Sequence, residues 1–205
     1  MTENVLVALG AGEFYDSTWV RTLLRHFAAY YFSALEAYER DQRTAPPTWR
    51  IAFDTAQNPS ALVFQHLLLG VNAHITYDLV LAMVDVLTPE WASLSEGERE
   101  LRYADYTHVN DVIGRTVDAV QDDIVSRAMP AMGVVDKMLG PVDEWMTSRL
   151  IAHWRDHVWK EATRLIETED PHERTNWLQH IEADTMRRAN AMLGKDGLRS
   201  FRDLL

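Results

Sequence analysis

Between Ser60 and Leu87 the chain reads SALVFQHLLLGVNAHITYDLVLAMVDVL, and at about 100° per residue its apolar side chains leave no polar face. That pattern predicts a central helix enclosed by other helices. His66, Gly70, His74 and Asp78 follow one another at i+4 steps and form one stripe along it, with Asp85 close to the same line two turns further on. Imidazoles and carboxylates inside a core must be neutralised, paired or bound to metal, because an isolated buried charge is prohibitively costly. The stripe therefore marks where chemistry would sit. Gly70 and Asn72 are positions where the helix would bend or a neighbouring backbone approach.

The other periodic segments are amphipathic. One runs from an N-cap at Asp16 or Ser17 to about Arg43 and stops at Thr44-Ala45-Pro46-Pro47. A short helix, TWRIAFDTAQ, is closed by Asn58-Pro59. After Thr88-Pro89, EWASLSEGERE reads as a polar loop with a short helical turn. A helix from about Arg102 to Met129 gathers Tyr106, Val109, Val112, Ile113, Val117, Val120 and Ile124 on one face, and Pro130 ends or kinks it. A short apolar segment runs to Gly140-Pro141. Then comes a long helix from about Val142 to Glu167, with Trp154, Val158, Ala162 and Leu165 inward, and a last one from Glu173 to Leu193. No strand-like alternation or long repeat is present. The expectation is an all-α, single-domain bundle of five or six main helices around the buried one, with residues 1–13 and 195–205 peripheral.

Composition narrows the function. The 205 residues suffice for one domain, with 47% hydrophobic and 25% charged residues arguing against wholesale disorder. A formal charge of −11 argues against nucleic acid or an anionic membrane surface as partner and leaves a neutral or cationic small molecule. With no cysteine, any metal must be held by His, Asp, Glu or Asn. The opening residues make a poor secretory signal, and the polar residues in the central stretch argue against a membrane span, so a cytoplasmic protein of unspecified oligomeric state is expected.

Three groups carry candidate chemistry. His74 and Asp78, one turn apart, reach the same ion from one helix face, whereas His66 lies about 12 Å up the axis and suits a supporting contact. Each histidine would equally serve as a core group bonded to a carbonyl or a carboxylate. Arg149, His153, His157 and Glu161 form a second i+4 row bordering an apolar face; His157 and Glu161 are its metal candidates, and a solvated face is the alternative. In YADYTHVNDVIG, Asp105 and Asn110 would fix histidine tautomers or simply pack, while His108 and Asp111 complete the cluster. Arg155 and Trp159 either pair with a central carboxylate and wall a pocket or pack.

The motif Leu69-Gly70-x-Asn72-Ala73-His74-Ile75-x-x-Asp78-Leu79, with TWRIAF upstream and DYTHVNDVI and RDHVW downstream, resembles the bacterial family catalogued as domain of unknown function 5995, over residues 15 to 165. The resemblance implies a helical fold and no established reaction. Leu69-Gly70-x-x-x-His74-x-x-x-Asp78 is also similar to a helix of zinc-dependent phospholipase C and its nuclease relatives. That likeness implies zinc ligation by His74 and Asp78, with His157 and Glu161 in place of the later H-x-x-x-E. Val84 stands where that family carries a further His, and its N-terminal ligand Trp is lacking, so a reduced site of one or two metals is the most it implies.

Two functions follow. The first is a metal-dependent hydrolase of a small or lipid-like substrate, using zinc, iron or manganese on His74, Asp78, His157 and Glu161, with Asp85 or Asp105 as base and His66, Asn72, Asn110, Arg155 and Trp159 in support. The second is a metal-free helical protein that binds a small apolar ligand, as a carrier or as a biosynthetic cyclase or isomerase. A purely structural stripe that fixes helix register is the third possibility.

Overall fold

The computed structural model describes residues 2–128 and 148–194, with side chains at 3–62, 65–112 and 152–194. The fold is all-α, and among the described residues no strand occurs. Its helices are α1 (Thr2–Gly10), α2 (Ser17–Arg40), α3 (Pro47–Ala56), α4 (Val63–Ala73), α5 (Leu79–Leu87), α6 (Glu96–Ala128), α7 (Ser148–Glu167) and α8 (Pro171–Leu193). A 3-10 turn, Gln42–Thr44, follows α2, and a π-helical turn, His74–Asp78, joins α4 to α5. The expected short segment 131–139 and the start of α7 at 142–147 fall outside the described residues, as do the side chains of Ile113, Val117, Val120 and Ile124.

Helix ends follow local chemistry. Asp16 caps α2, its Oδ1 accepting from the amides of Thr18 at 3.0 Å and Trp19 at 2.9 Å. Gly12, at φ 75°, turns the chain out of α1, a conformation glycine adopts without steric cost. α6 begins at Glu96, several residues before the expected start near Arg102. The reason is a capping box: Glu98 Oε2 accepts from the Ser95 amide at 2.8 Å, and the Ser95 hydroxyl accepts from the Glu98 amide at 3.4 Å. α8 likewise starts at Pro171, which fits the first helical position because its missing N–H needs no partner there, and Asp170 caps the helix.

The contacts divide the chain into two compact units, residues 1–22 with 93–157 and residues 23–92 with 158–205. In the first, α1 packs on α6 and buries Val5, Ala8 and Leu9, while Phe14, Trp19, Tyr106, Val109, Val112 and Trp154 are buried with them. Asp105 is 1% exposed, and its two oxygens accept from the main-chain amides of Tyr15 and Asp16, each at 2.8 Å. Asp16 is also paired with Arg102 at 2.9 Å. The buried Arg155 guanidinium donates to Asn110 Oδ1 and to the Tyr106 carbonyl at 2.8 Å, and lies 4.3 Å from the Tyr106 ring centre.

In the second unit α3, α4, α5 and α8 pack together around Leu68, Leu69, Leu79, Val80, Met83 and Leu87, joined by Leu165 and Ile181 among its buried residues. Each such side chain contributes about 1.5–3 kcal/mol of burial. The Gln65–Leu87 stretch is long and apolar enough to cross a membrane, yet 67% of its apolar window is buried inside the protein, as in a core helix. Gly70 has open space where a Cβ would stand, so among the described residues no neighbouring backbone approaches there; the irregularity comes at the π turn instead. Asn72 Nδ2 donates to the Thr185 carbonyl at 3.0 Å, and the Thr76 and Thr185 hydroxyls meet at 3.0 Å, which locks the turn to α8.

The cap at Asp16 makes a testable contribution. The Trp19 amide, followed by the Arg102 charge, holds its carboxyl below the usual value of 3.8 against the opposing effect of burial. Its stabilisation is therefore present above that value and is lost as pH falls through the depressed one. Asp16→Ala is expected to cost about 1 kcal/mol in urea unfolding at neutral pH. The difference from wild type should shrink on acidification; a constant difference across the acid range would contradict the assignment.

Candidate functional site

Within the second unit the π turn sets the geometry. The Leu79 amide returns to the His74 carbonyl five residues back, so an extra residue is accommodated and the helix widens locally. His74 and Asp78 bracket that turn. Asp78 Oδ2 lies 3.0 Å from His74 Nδ1 and accepts from the Trp49 indole N–H at 2.8 Å. The indole can only donate, and a carboxylate can only accept, so this oxygen is completed by a proton on Nδ1. The lone pair of His74 is then on Nε2, which has no protein partner among the described residues and is not sealed from solvent.

Burial differs sharply across the pair, the Asp78 side chain being 2% exposed and that of His74 29%. Burial, the larger influence, pushes the Asp78 carboxyl up from 3.8, while the hydrogen bonds from His74 and Trp49 oppose it. Aromatic rings fix the imidazole. Phe27 stacks on it at 3.6 Å between ring centres and 11° between planes, with Trp49 at 5.9 Å and Tyr31 edge-on at 6.1 Å. A buried carboxyl group is thus kept behind a ring that is clamped by its neighbours and open at one edge.

Beside this pair on the same two helical stretches, Tyr30 donates to Asp85 Oδ2 at 2.7 Å and His26 Nδ1 lies 3.4 Å from the same oxygen. Asp85 is 41% exposed, so the stripe leaves the interior at this end. The π turn explains why: its extra residue rotates everything after it away from the phase that a pure 100° progression assigns.

The remaining sequence candidates are distributed elsewhere. His66 is half-buried, with Nε2 buried and unpaired, and Asn72 serves the contact to α8. Glu161 accepts from the Trp177 indole, and Trp159 packs edge-on to Trp91 at 6.3 Å. His157, like His153, is exposed. Asp105 holds main-chain amides, and Asn110 accepts from Arg155, so neither fixes a histidine of the central helix. Arg155 bonds Asn110 and the Tyr106 carbonyl, not a central carboxylate. His108 sits between Glu13 at 3.1 Å and Asp111 at 3.3 Å, on a cleft of about 740 Å³ in the first unit.

Among the described residues no three His, Asp or Glu side chains come together as a metal set. Of the four ligands that the sequence suggested, His74 Nδ1 and Asp78 Oδ2 are bonded to each other, and Glu161 accepts from the Trp177 indole. The site also takes in His26, Phe27, Tyr30 and Tyr31, whose only mark in the sequence is the i+4 repetition of ring side chains in RHFAAYYF, and Trp49 in TWRIAF.

The family of unknown function DUF5995 matches residues 1–195, and the chain belongs to it. No curated protein and no solved structure matches the chain.

Trp49→Phe is the direct test of how Asp78 is held. Removing a donor that lowers the Asp78 pKa lets burial raise it further. Because that pKa is already above the unfolded value, the group's contribution is full below 3.8 and is lost as pH rises through the raised value. The variant should therefore lose about 1–3 kcal/mol relative to wild type at neutral pH and less in acid, read by urea unfolding. A deficit independent of pH would mean that only packing was lost.

Proposed function

We propose that this protein is an acid–base enzyme acting on a small molecule, with His74 Nε2 as the proton-transfer atom and Asp78 as the group that orients the ring and stabilises its charged form. The observation that carries the proposal is the 3.0 Å contact between Nδ1 and a nearly inaccessible carboxylate, on an imidazole whose other nitrogen reaches solvent. A carboxylate behind a histidine sets the tautomer and raises the basicity of the far nitrogen. The Phe27 stack holds the ring plane, so the base is preorganised rather than sought by rotation. The π turn is the kind of helix irregularity that recurs at functional sites. Negative formal charge and aromatic surroundings favour a neutral or cationic substrate with an unsaturated or apolar part.

The metal-dependent hydrolase is the second reading, because an imidazole backed by a carboxylate is also how metal-bound histidines are held. It requires ligands beyond His74 that the described residues do not bring to it. Cytoplasmic location fits either reading.

Imidazole 15N NMR at about pH 8, above the ordinary histidine range, is expected to show the His74 proton on Nδ1. A proton on Nε2 would remove the base and sink the proposal. His74→Gln should stay folded by circular dichroism while losing about 10²–10⁴-fold in turnover of its substrate. Stoichiometric zinc, iron or manganese in protein purified without a histidine tag, lost in His74→Ala, would favour the hydrolase instead.

A further inference from the structure

We infer that His26, with Asp85 beside it, is a second proton-transfer group of the same site, and that the reaction relocates a proton within the substrate. This rests on the reading of His74 given above. In the second unit His74 pairs with Asp78 inside the π turn, and His26 of α2 faces Asp85 of α5; a third pair, His180 with Asp184 at 3.7 Å, lies within α8. The first two are linked through α2: Phe27, next to His26, covers the His74 ring, and Tyr30, one turn on, donates to Asp85. Tyr30 also feels the charge of both carboxylates, and burial together with Asp85 holds its phenol in the protonated, donating form. Asp85 Oδ2 thus receives Tyr30 at 2.7 Å and faces His26 Nδ1 at 3.4 Å, repeating the way Asp78 Oδ2 receives Trp49 and faces His74 Nδ1.

The chemistry balances without an added reagent. Neutral His74 Nε2 takes a proton from a carbon next to a carbon–carbon double bond, and the electron pair of that C–H bond becomes a new π bond. The electrons of the old π bond bind the proton that the His26 imidazolium gives up at the far end. One C–H bond breaks, one forms, and the substrate keeps its formula. Both imidazoles, 29% and 43% exposed, then recover their starting protonation from solvent. The class is an isomerisation by proton shift, which distinguishes this site from one that consumes water.

The experiment incubates the intact protein in D2O with a deproteinised small-molecule cell extract and follows deuterium incorporation and retention time by mass spectrometry. Wild type is expected to convert at least one compound to an isomer carrying a single deuterium. His74→Gln and His26→Gln should each reduce that conversion by about 10²-fold or more, with the exposed His172→Gln as an active control. Asp85→Asn, which keeps both imidazoles, should reduce it by about 10-fold and serves where His26→Gln fails to fold. Full conversion by folded His26→Gln or Asp85→Asn, with none by His74→Gln, overturns the second group and leaves the His74 reading standing. No labelling by wild type, or labelling untouched in His74→Gln, overturns both.

Discussion

The enclosure of the Asp78 carboxylate is the constraint on which the second unit turns. Removing a carboxylate from water costs several kcal/mol, and hydrogen bonds to a charged group return about 1.5–3 kcal/mol each. The indole of Trp49 and the imidazole of His74 supply two such bonds, and both converge on one oxygen. That convergence dictates the surroundings. α3 has to present Trp49, the helix has to widen at His74–Asp78, and α2 has to bring Phe27 flat against the imidazole. The balance left after these contacts keeps Asp78 harder to ionise than a free carboxylate, so a histidine that takes up a proton nearby is the group best able to relieve it.

The same five residues are gripped from the opposite side by different chemistry. Thr76, together with Asn72 just before the turn, meets Thr185 of α8 in a set of neutral hydrogen bonds that is wholly interior. One face of the turn is therefore held by neutral groups, and the other carries the ionisable pair. Neutral amide and hydroxyl groups are cheap to hide when all are satisfied, which leaves the ionisable pair as the costly component and the one that demands a functional account.

The sequence made the helices legible because apolar spacing, capping residues and proline boundaries are local signals. Buried Tyr106, Val109, Val112, Trp154, Val158, Ala162 and Leu165 all lie on the faces that periodicity assigned. The early start of α6 was also written locally, in Ser95-Glu96-Gly97-Glu98, but its polarity made it read as loop. Residues 1–13 showed only a short apolar run and were expected to be peripheral; they hold α1, whose contact with α6 buries Val5 and Leu9. At the site, His74 and Asp78 were legible as a pair. What surrounds them was not: a π turn has no compositional mark, and the approach of Phe27, Tyr31 and Trp49 comes from elements distant in sequence. Asp85 was placed in the interior because a regular helix was extrapolated through an irregular one.

One contact in the first unit carries an evolutionary consequence. Asp105 grips the amides of Tyr15 and Asp16 through the main chain, not through their side chains. The corner between α1 and α2 is thus anchored by something every residue except proline possesses. Position 15, whose side chain is 75% exposed, is free to drift without loosening that corner, whereas the single acidic partner opposite it is not.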